Sequence, residues 1–328
     1  MPYQHTWETI VEPEQPILLQ DLEVIVAEGE PLTIGKHRPA LYDEVLQYWD
    51  KAQVRQVLAR ATDLGNALAQ QDEKTIARMT SQIGGVAQKI RCSRAILKQN
   101  KLYLALNSTN YMDFIGTNEQ AIVNPDFRER LMHAGVEDYA DPNLYFANPL
   151  AVCAVVYGFD TKQRDNESMY IAIALRSSKV MIYPNVHHVI GGVLDADRER
   201  KKINIGNHLR LELREEIGLT NEEMGSAQFF GIIRQTCSRI PEVICGIPIY
   251  VSQSELEQRW REHAPGKFEN KNLSFYRFSQ LELFLEQYAP TMVPSGAAAL
   301  HSLLKYRNEL QATDALLQRV EPTGPHDV

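Results

Sequence analysis

The sequence predicts an α/β fold with a mixed sheet over residues 146–315, preceded by an α+β module over residues 1–145. Three observations lead there. The first is a set of strands that opens with Leu150–Tyr157, a nearly continuous apolar run of the kind buried on both faces of a sheet. Met169–Leu175, Val186–Ile190, Phe229–Ile233 and Val243–Val251 continue the set. The second is the helices between and after these strands. One has Asn207 as its expected N-cap and Gly218 as the residue that stops it; Ser254–Glu262 and Leu281–Tyr288 follow, and Pro294 opens the last. The third is the different texture of the first part. Gln15–Glu28 reads as a strand and Leu41–Ile76 as a helix broken near Asp63 and Gly65. Ile90–Asn107 reads as strands, with Leu102, Leu104 and Leu106 alternating.

Composition narrows the function. With 328 residues, 44% of them apolar, the chain can build two ordinary cores. No apolar run reaches the ~18–20 residues that span a bilayer, and the start, Met1-Pro2-Tyr3-Gln4-His5-Thr6-Trp7, lacks the features of a signal peptide. A cytoplasmic protein with no membrane partner is expected. Cys92, Cys153, Cys237 and Cys245 have no C-x-x-C spacing, so reduced thiols are expected, with Cys153 buried in its apolar run. Lys and Arg total 34 against 42 Asp and Glu, a net charge of −8. A nucleic-acid partner is therefore not expected, because such binders carry a concentrated basic footprint. The tail over 316–328 is expected to be disordered, and the sequence leaves the oligomeric state open.

The chemistry concentrates in Leu211-Glu212-Leu213-Arg214-Glu215-Glu216-Ile217-Gly218-Leu219. Glu212, Glu215 and Glu216 fall at i, i+3 and i+4, which places three carboxylates on one helical face. They sit in the last turn, where the helix dipole favours cations. Leu209, Leu213 and Ile217 form the opposite, packing face. An acidic face of this kind is also common on solvated helices. What distinguishes this one is its setting: Gly191-Gly192 closes a strand upstream and Gly218-Leu219 follows at once. A hard divalent ion, Mg²⁺ or Mn²⁺, suits such a carboxylate set beside a phosphate substrate.

That segment resembles the Nudix pattern G-x5-E-x7-R-E-U-x-E-E-x-G-U, in which U is apolar. Glu212, Leu213, Glu215, Glu216, Gly218 and Leu219 fall in register. The upstream half departs: Leu211 replaces the pattern's arginine, Ile203 replaces its first glutamate, and the loop after Gly192 is longer. These departures are similar to those of the non-standard animal Nudix family that hydrolyses UDP-glucose and UDP-galactose to UMP and sugar 1-phosphate. Tyr111-Met112-Asp113-Phe114-Ile115-Gly116-Thr117-Asn118 resembles that family's Y-x-D-F-[LI]-G-T-N segment, and Ala147-Asn148-Pro149-Leu150 its A-D-P-L strand entry. Gly231-Ile232-Ile233-Arg234 and Val293-Pro294-Ser295 also have counterparts. The similarity covers residues 86 to 310 and leaves Leu41–Ile76 unexplained.

The resemblance implies a Nudix α/β/α sandwich, metal ligation by Glu212 and Glu216, and a nucleotide-sugar substrate touched by Tyr111, Arg176 and Ser295. His188 and Asp195 fall on contact positions where the family has other residue types. Glu215 completes the metal shell or acts as base, and sequence does not choose between the two. For Arg176 the alternative is a surface arginine, for Tyr111 a core aromatic, and for Asp113 and Asn118 a turn-capping role. His187 and His188 are adjacent on a strand, so at most one faces the site. Ser295 is expected to cap the last helix. The alternatives to UDP-sugar hydrolysis are hydrolysis of another nucleotide diphosphate such as ADP-ribose, or a catalytically inactive module that senses a nucleotide.

Overall fold

The computed structural model describes residues 6–69, 73, 76–77, 79–80, 84–160, 168–196, 203–264 and 269–310. The expected tail and most of the charged stretch after Asp195 lie outside them. Twelve strands are described: β1 (Trp7–Val11), β2 (Ile17–Leu18), β3 (Glu23–Glu28), β4 (Gln88–Lys98), β5 (Lys101–Asn110), β6 (Ala151–Phe159), β7 (Met169–Arg176), β8 (His187–His188), β9 (Ile190–Val193), β10 (Gln228–Gln235), β11 (Pro241–Pro248) and β12 (Asn270–Arg277). The longer helices are α1 (Pro39–Ala69), α2 (Pro125–Tyr139), α3 (Ile205–Ile217), α4 (Gln253–His263), α5 (Leu281–Tyr288) and α6 (Pro294–Lys305).

β6 is buried along nearly its whole length, which is why its sequence does not alternate. It is the centre of a nine-stranded mixed sheet ordered β1-β10-β11-β6-β7-β12, with β2 on β10, β8 on β7 and β9 on β6. The β6–β11 pair is parallel and the other pairs in this sheet are antiparallel. One face packs under α3 through Leu209, Leu213 and Ile217, which bury against Val152, Ala154 and Ile190. The other face carries α6, whose Ala297, Leu300 and Leu303 meet Cys153, Val155 and Ile244. The result is the mixed α/β/α sandwich that the resemblance implies. All four cysteines are free, and Cys153 is buried. Among the described residues, no helix is long and apolar enough to cross a membrane.

A second, three-stranded sheet is ordered β3-β5-β4. Its β5 shows the expected alternation, with Leu102, Leu104 and Leu106 inside. β4 ties the two sheets together. Ile90 N–H donates to Leu194 O at 3.1 Å, Leu150 N–H to Ile90 O at 2.7 Å, and Cys92 N–H to Asn148 O at 2.9 Å.

Several local expectations change. The Gln15–Glu28 strand is two strands in different sheets: β2 pairs with β10 and β3 with β5. β1 and β2 lie well before residue 145 yet complete the large sheet. α1 runs unbroken through Gly65, where an added Cβ would meet nothing within 4 Å. A solvated glycine costs about 1 kcal/mol relative to alanine, too little to end a helix of this length. The N-cap of α3 is Asn204, not Asn207: Asn204 Oδ1 accepts from Asn207 N–H at 2.9 Å. Gly218 does end α3, at φ 76°.

Candidate active site

A cleft of about 210 Å³ opens where the two sheets meet. α3 supplies one wall, β9 the floor, and Tyr111 and Phe114 another wall beside Val180–Tyr183 and Ile240. Glu212, Glu215, Glu216, Tyr111, Arg176, His188 and Asp195 all line it, so seven of the eight residues singled out in the sequence come together. Ser295 does not line it. It is fully buried, and its hydroxyl accepts weakly from Gln235 Nε2 at 3.4 Å and contacts Glu242. Nor does it cap α6, whose N-cap is Val293. Ser295 is thus one layer below the floor, behind Glu242.

The carboxylates are placed by the two-faced helix. With Leu209, Leu213 and Ile217 buried in the sheet, Glu212 and Glu216 must project toward β9 and β12. Glu212 approaches Gly192 so closely that a Cβ on that glycine would stand 2.6 Å from its carboxyl carbon. Its Oε1 lies 3.2 Å from His208 Nε2, without hydrogen-bond alignment. Glu216 is 5% exposed, and its Oε2 accepts from Asn270 Nδ2 at 2.7 Å. Burial, with Glu269 and Glu212 close by, pushes the Glu216 carboxyl well above the usual carboxylate range.

Arg176 ends β7 and is in register with Asn270 on β12, which brings its guanidinium beside Glu216. Its Nε is buried with no hydrogen-bond partner among the described residues. His188, paired with Ala174 of β7, is the histidine that faces the cleft. His187 instead packs on Tyr288 and Phe284. Burial, with Arg176 nearby, holds the His188 imidazole well below the ordinary histidine range.

Tyr111 is 7% exposed, packed edge-on against Trp49 and Phe114, and still borders the cleft. The core and ligand-facing readings are therefore compatible. Asp113 and Asn118 do not reach the cleft. Asp113 accepts from Tyr42 Oη at 3.2 Å and from Asn110 Nδ2 at 2.7 Å. Asn118 donates to Ser238 O at 2.7 Å.

Sequence reasoning missed Glu269, Glu242, Gln235 and Lys89, all of which line the cleft. Glu242 accepts from Gln235 Nε2 at 2.9 Å, and burial raises its carboxyl. Its signal was a lone charge at the head of the apolar run of β11. Glu269 and Lys89 come from distant elements and carried no local signal.

The donor set fits a hard divalent ion. Glu212 and Glu216 are a turn apart, Glu269 borders Glu216, and Gly192 leaves room for the Glu212 carboxylate. Mg²⁺ usually takes only one or two protein carboxylates and fills its remaining positions with water and phosphate oxygens. Among the described residues, no three His, Cys, Asp or Glu side chains are grouped closely enough to hold an ion between them. Glu212 and Glu216 are the pair that would hold such an ion.

No protein-family model matches the chain, and no curated protein does. Solved structures overlap it in part. NrtR from Shewanella oneidensis aligns at 13% identity and TM-score 0.32 over 50% of this chain, which spans 64% of that protein. The Nudix domain of the same NrtR, complexed with ADP-ribose, aligns at 13% and 0.32 over 54% of this chain and 97% of the domain. An Ap4A hydrolase from C. elegans aligns at 13% and 0.28 over 49% and 98%. These are likenesses of fold over part of the chain.

Proposed function

We propose that this chain is a divalent-metal-dependent, Nudix-type hydrolase that cleaves the diphosphate of a nucleotide sugar, UDP-glucose or UDP-galactose, to UMP and sugar 1-phosphate. One observation carries the reading: Glu212, Glu215 and Glu216 open on the same cleft as Arg176 and Tyr111. A bound divalent ion would supply charge neutralisation at the diphosphate oxygens and a more acidic water. The protein's own residues do the rest. Glu212 and Glu216 would hold the ion, and Arg176 brings a planar donor fork suited to phosphate oxygens. Tyr111 offers a ring held rigid by Trp49 and Phe114 for stacking on the base. Gly191 lets β9 lie tight on β6, where a Cβ would stand 2.2 Å from Val152 O, and Gly192 leaves room for the Glu212 carboxylate.

The test is a panel of UDP-glucose, UDP-galactose and ADP-ribose with Mg²⁺, following release of UMP, AMP and sugar phosphates. Turnover of the UDP-sugars that is abolished by exhaustive EDTA is expected. Turnover that survives EDTA overturns the metal, and preference for ADP-ribose overturns the substrate. Leu211 in place of the Nudix arginine favours a second reading, a nucleotide-binding module without turnover. Tight binding without product would establish it.

A further inference from the structure

Lys89 has no role in the function proposed so far, yet it borders the cleft with its side chain only 7% exposed. It comes from β4, in the small sheet, and its Nζ donates to Asp195 Oδ1, just past β9. An ammonium group has three N–H donors and a carboxylate two acceptor oxygens. Among the described residues this is the single hydrogen bond either side chain makes, which leaves two donors on Nζ and the outer oxygen Oδ2 of Asp195. Locking the sheets together does not require the pair. The backbone already does so on either side, through the Lys89–Asp195 bridge, Ile90 N–H to Leu194 O, and Leu150 N–H to Ile90 O.

We propose that Lys89 and Asp195 form a diol-reading pair at the Tyr111 end of the cleft, with Lys89 a specificity residue for vicinal sugar hydroxyls. A hydroxyl can accept from Nζ while donating to Oδ2, so two neighbouring hydroxyls match what the pair offers. A further phosphate does not: it would lie against the Asp195 carboxylate in a cleft already lined by Glu212, Glu215, Glu216, Glu242 and Glu269. The position also suits a sugar flanking the diphosphate. Asp195 follows His188 by seven residues across β9, so the two lie at most about 23 Å apart at ~3.3 Å per residue. With the base on Tyr111, a diphosphate held at the glutamates reaches this end with its ribose.

The inference rests on the proposed function for its ligand, and the test separates the two. Turnover of UDP-glucose tests the function; equilibrium binding, by calorimetry on the full chain, tests the pair. The ligands are UDP-glucose, its 2′-deoxyribose analogue and its 2-deoxyglucose analogue. Wild type should bind the 2′-deoxyribose analogue about 10- to 100-fold more weakly than the parent and the 2-deoxyglucose analogue about as well as the parent. Lys89→Met should bind the parent as weakly as the 2′-deoxyribose analogue, so the discrimination disappears, and Asp195→Asn should lose it too. Melting temperatures check that both variants fold. Wild-type discrimination retained in Lys89→Met overturns the inference. An equal loss for all three ligands also overturns it, in favour of a phosphate contact. Absence of all binding by folded wild type overturns both readings; binding with the expected discrimination but no turnover overturns only the hydrolase.

Discussion

Residues 212–216 and residues 111–118 are the two most patterned segments of the chain, and the fold uses them in different ways. In the first, the pattern is the site: Leu213 and Ile217 anchor α3, and the intervening glutamates reach the cleft. In the second, the pattern is mostly a joint. Tyr111 and Phe114 reach the cleft, but the rest is turned inward. A Cβ on Gly116 would stand 2.4 Å from Val45 Cγ1, so the π-helical turn Ile115–Glu119 can sit against α1 only with glycine there. Thr117 Oγ1 donates to Asp113 O at 2.7 Å and accepts from Ala147 N–H at 3.0 Å, while Asn118 reaches across to Ser238 O. A specific sequence pattern can thus encode the seam between two sheets as readily as contact with a ligand.

The contrast breaks if the two segments respond alike to mutation. The largest effect is expected at Glu216→Gln. Loss of groups that merely orient a metal ligand costs 10–100-fold, so loss of the ligand's charge should lower kcat by about 100-fold or more. The fold should persist, because the amide keeps the bond to Asn270 and cannot ionise beside Glu269 and Glu212. Near-wild-type turnover at saturating Mg²⁺ would remove Glu216 from the site.

Asn118→Ala should do the reverse. It leaves Ser238 O without its buried donor, which costs about 1–3 kcal/mol in denaturant unfolding. KM for UDP-glucose should stay near the wild-type value; a rise in KM without loss of stability would make Asn118 a ligand contact after all.

Tyr111→Ala falls between. Base stacking is worth ~1–3 kcal/mol, so KM should rise about tenfold or more, alongside some loss of stability from the packing with Trp49 and Phe114. Tyr111→Phe keeps the ring and should keep KM near the wild-type value. Lowered stability with an unchanged KM would leave this residue wholly in the joint.

The smallest effect concerns pH. Burial holds the His188 folded-state pKa well below 6.5, so below pH 6.5 the unfolded chain takes up a proton that the folded chain refuses. The stability from a neutral His188 is present above pH 6.5 and lost as pH falls below it. His188→Phe should flatten the Tm profile between about pH 6.5 and 5. An unchanged slope would assign the acid sensitivity to other groups.

What the sequence disclosed follows from range. α3 was legible because an apolar face and an acidic face repeat within four residues, and β6 because burial on both faces leaves a continuous apolar run. The end of α3 was legible as well, since Gly218 takes the positive φ that other residues avoid. Its start was misplaced by three residues because Asn204 and Asn207 are equally good caps in isolation. Lys89 and Glu269 could not be found, since strand pairings between distant residues place them, and nothing local marks which register forms. Ser295 was misassigned for a related reason: a Pro-Ser helix start looks the same whether its hydroxyl faces a ligand or the underside of Glu242.

The large sheet also sets a timetable for synthesis. β1 and β2 leave the ribosome well before their partner β10, which spans Gln228–Gln235. At roughly 5–20 residues per second, that partner follows on the order of ten to forty-five seconds later. Throughout that interval the nascent chain carries unpaired strands that could associate with other chains. Once β10 arrives, Trp7 pairs with Gln235, and Arg239 closes the edge through Glu8 at 2.7 Å. The sheet that floors the cleft is therefore sealed only once β10 reaches strands made more than two hundred residues earlier.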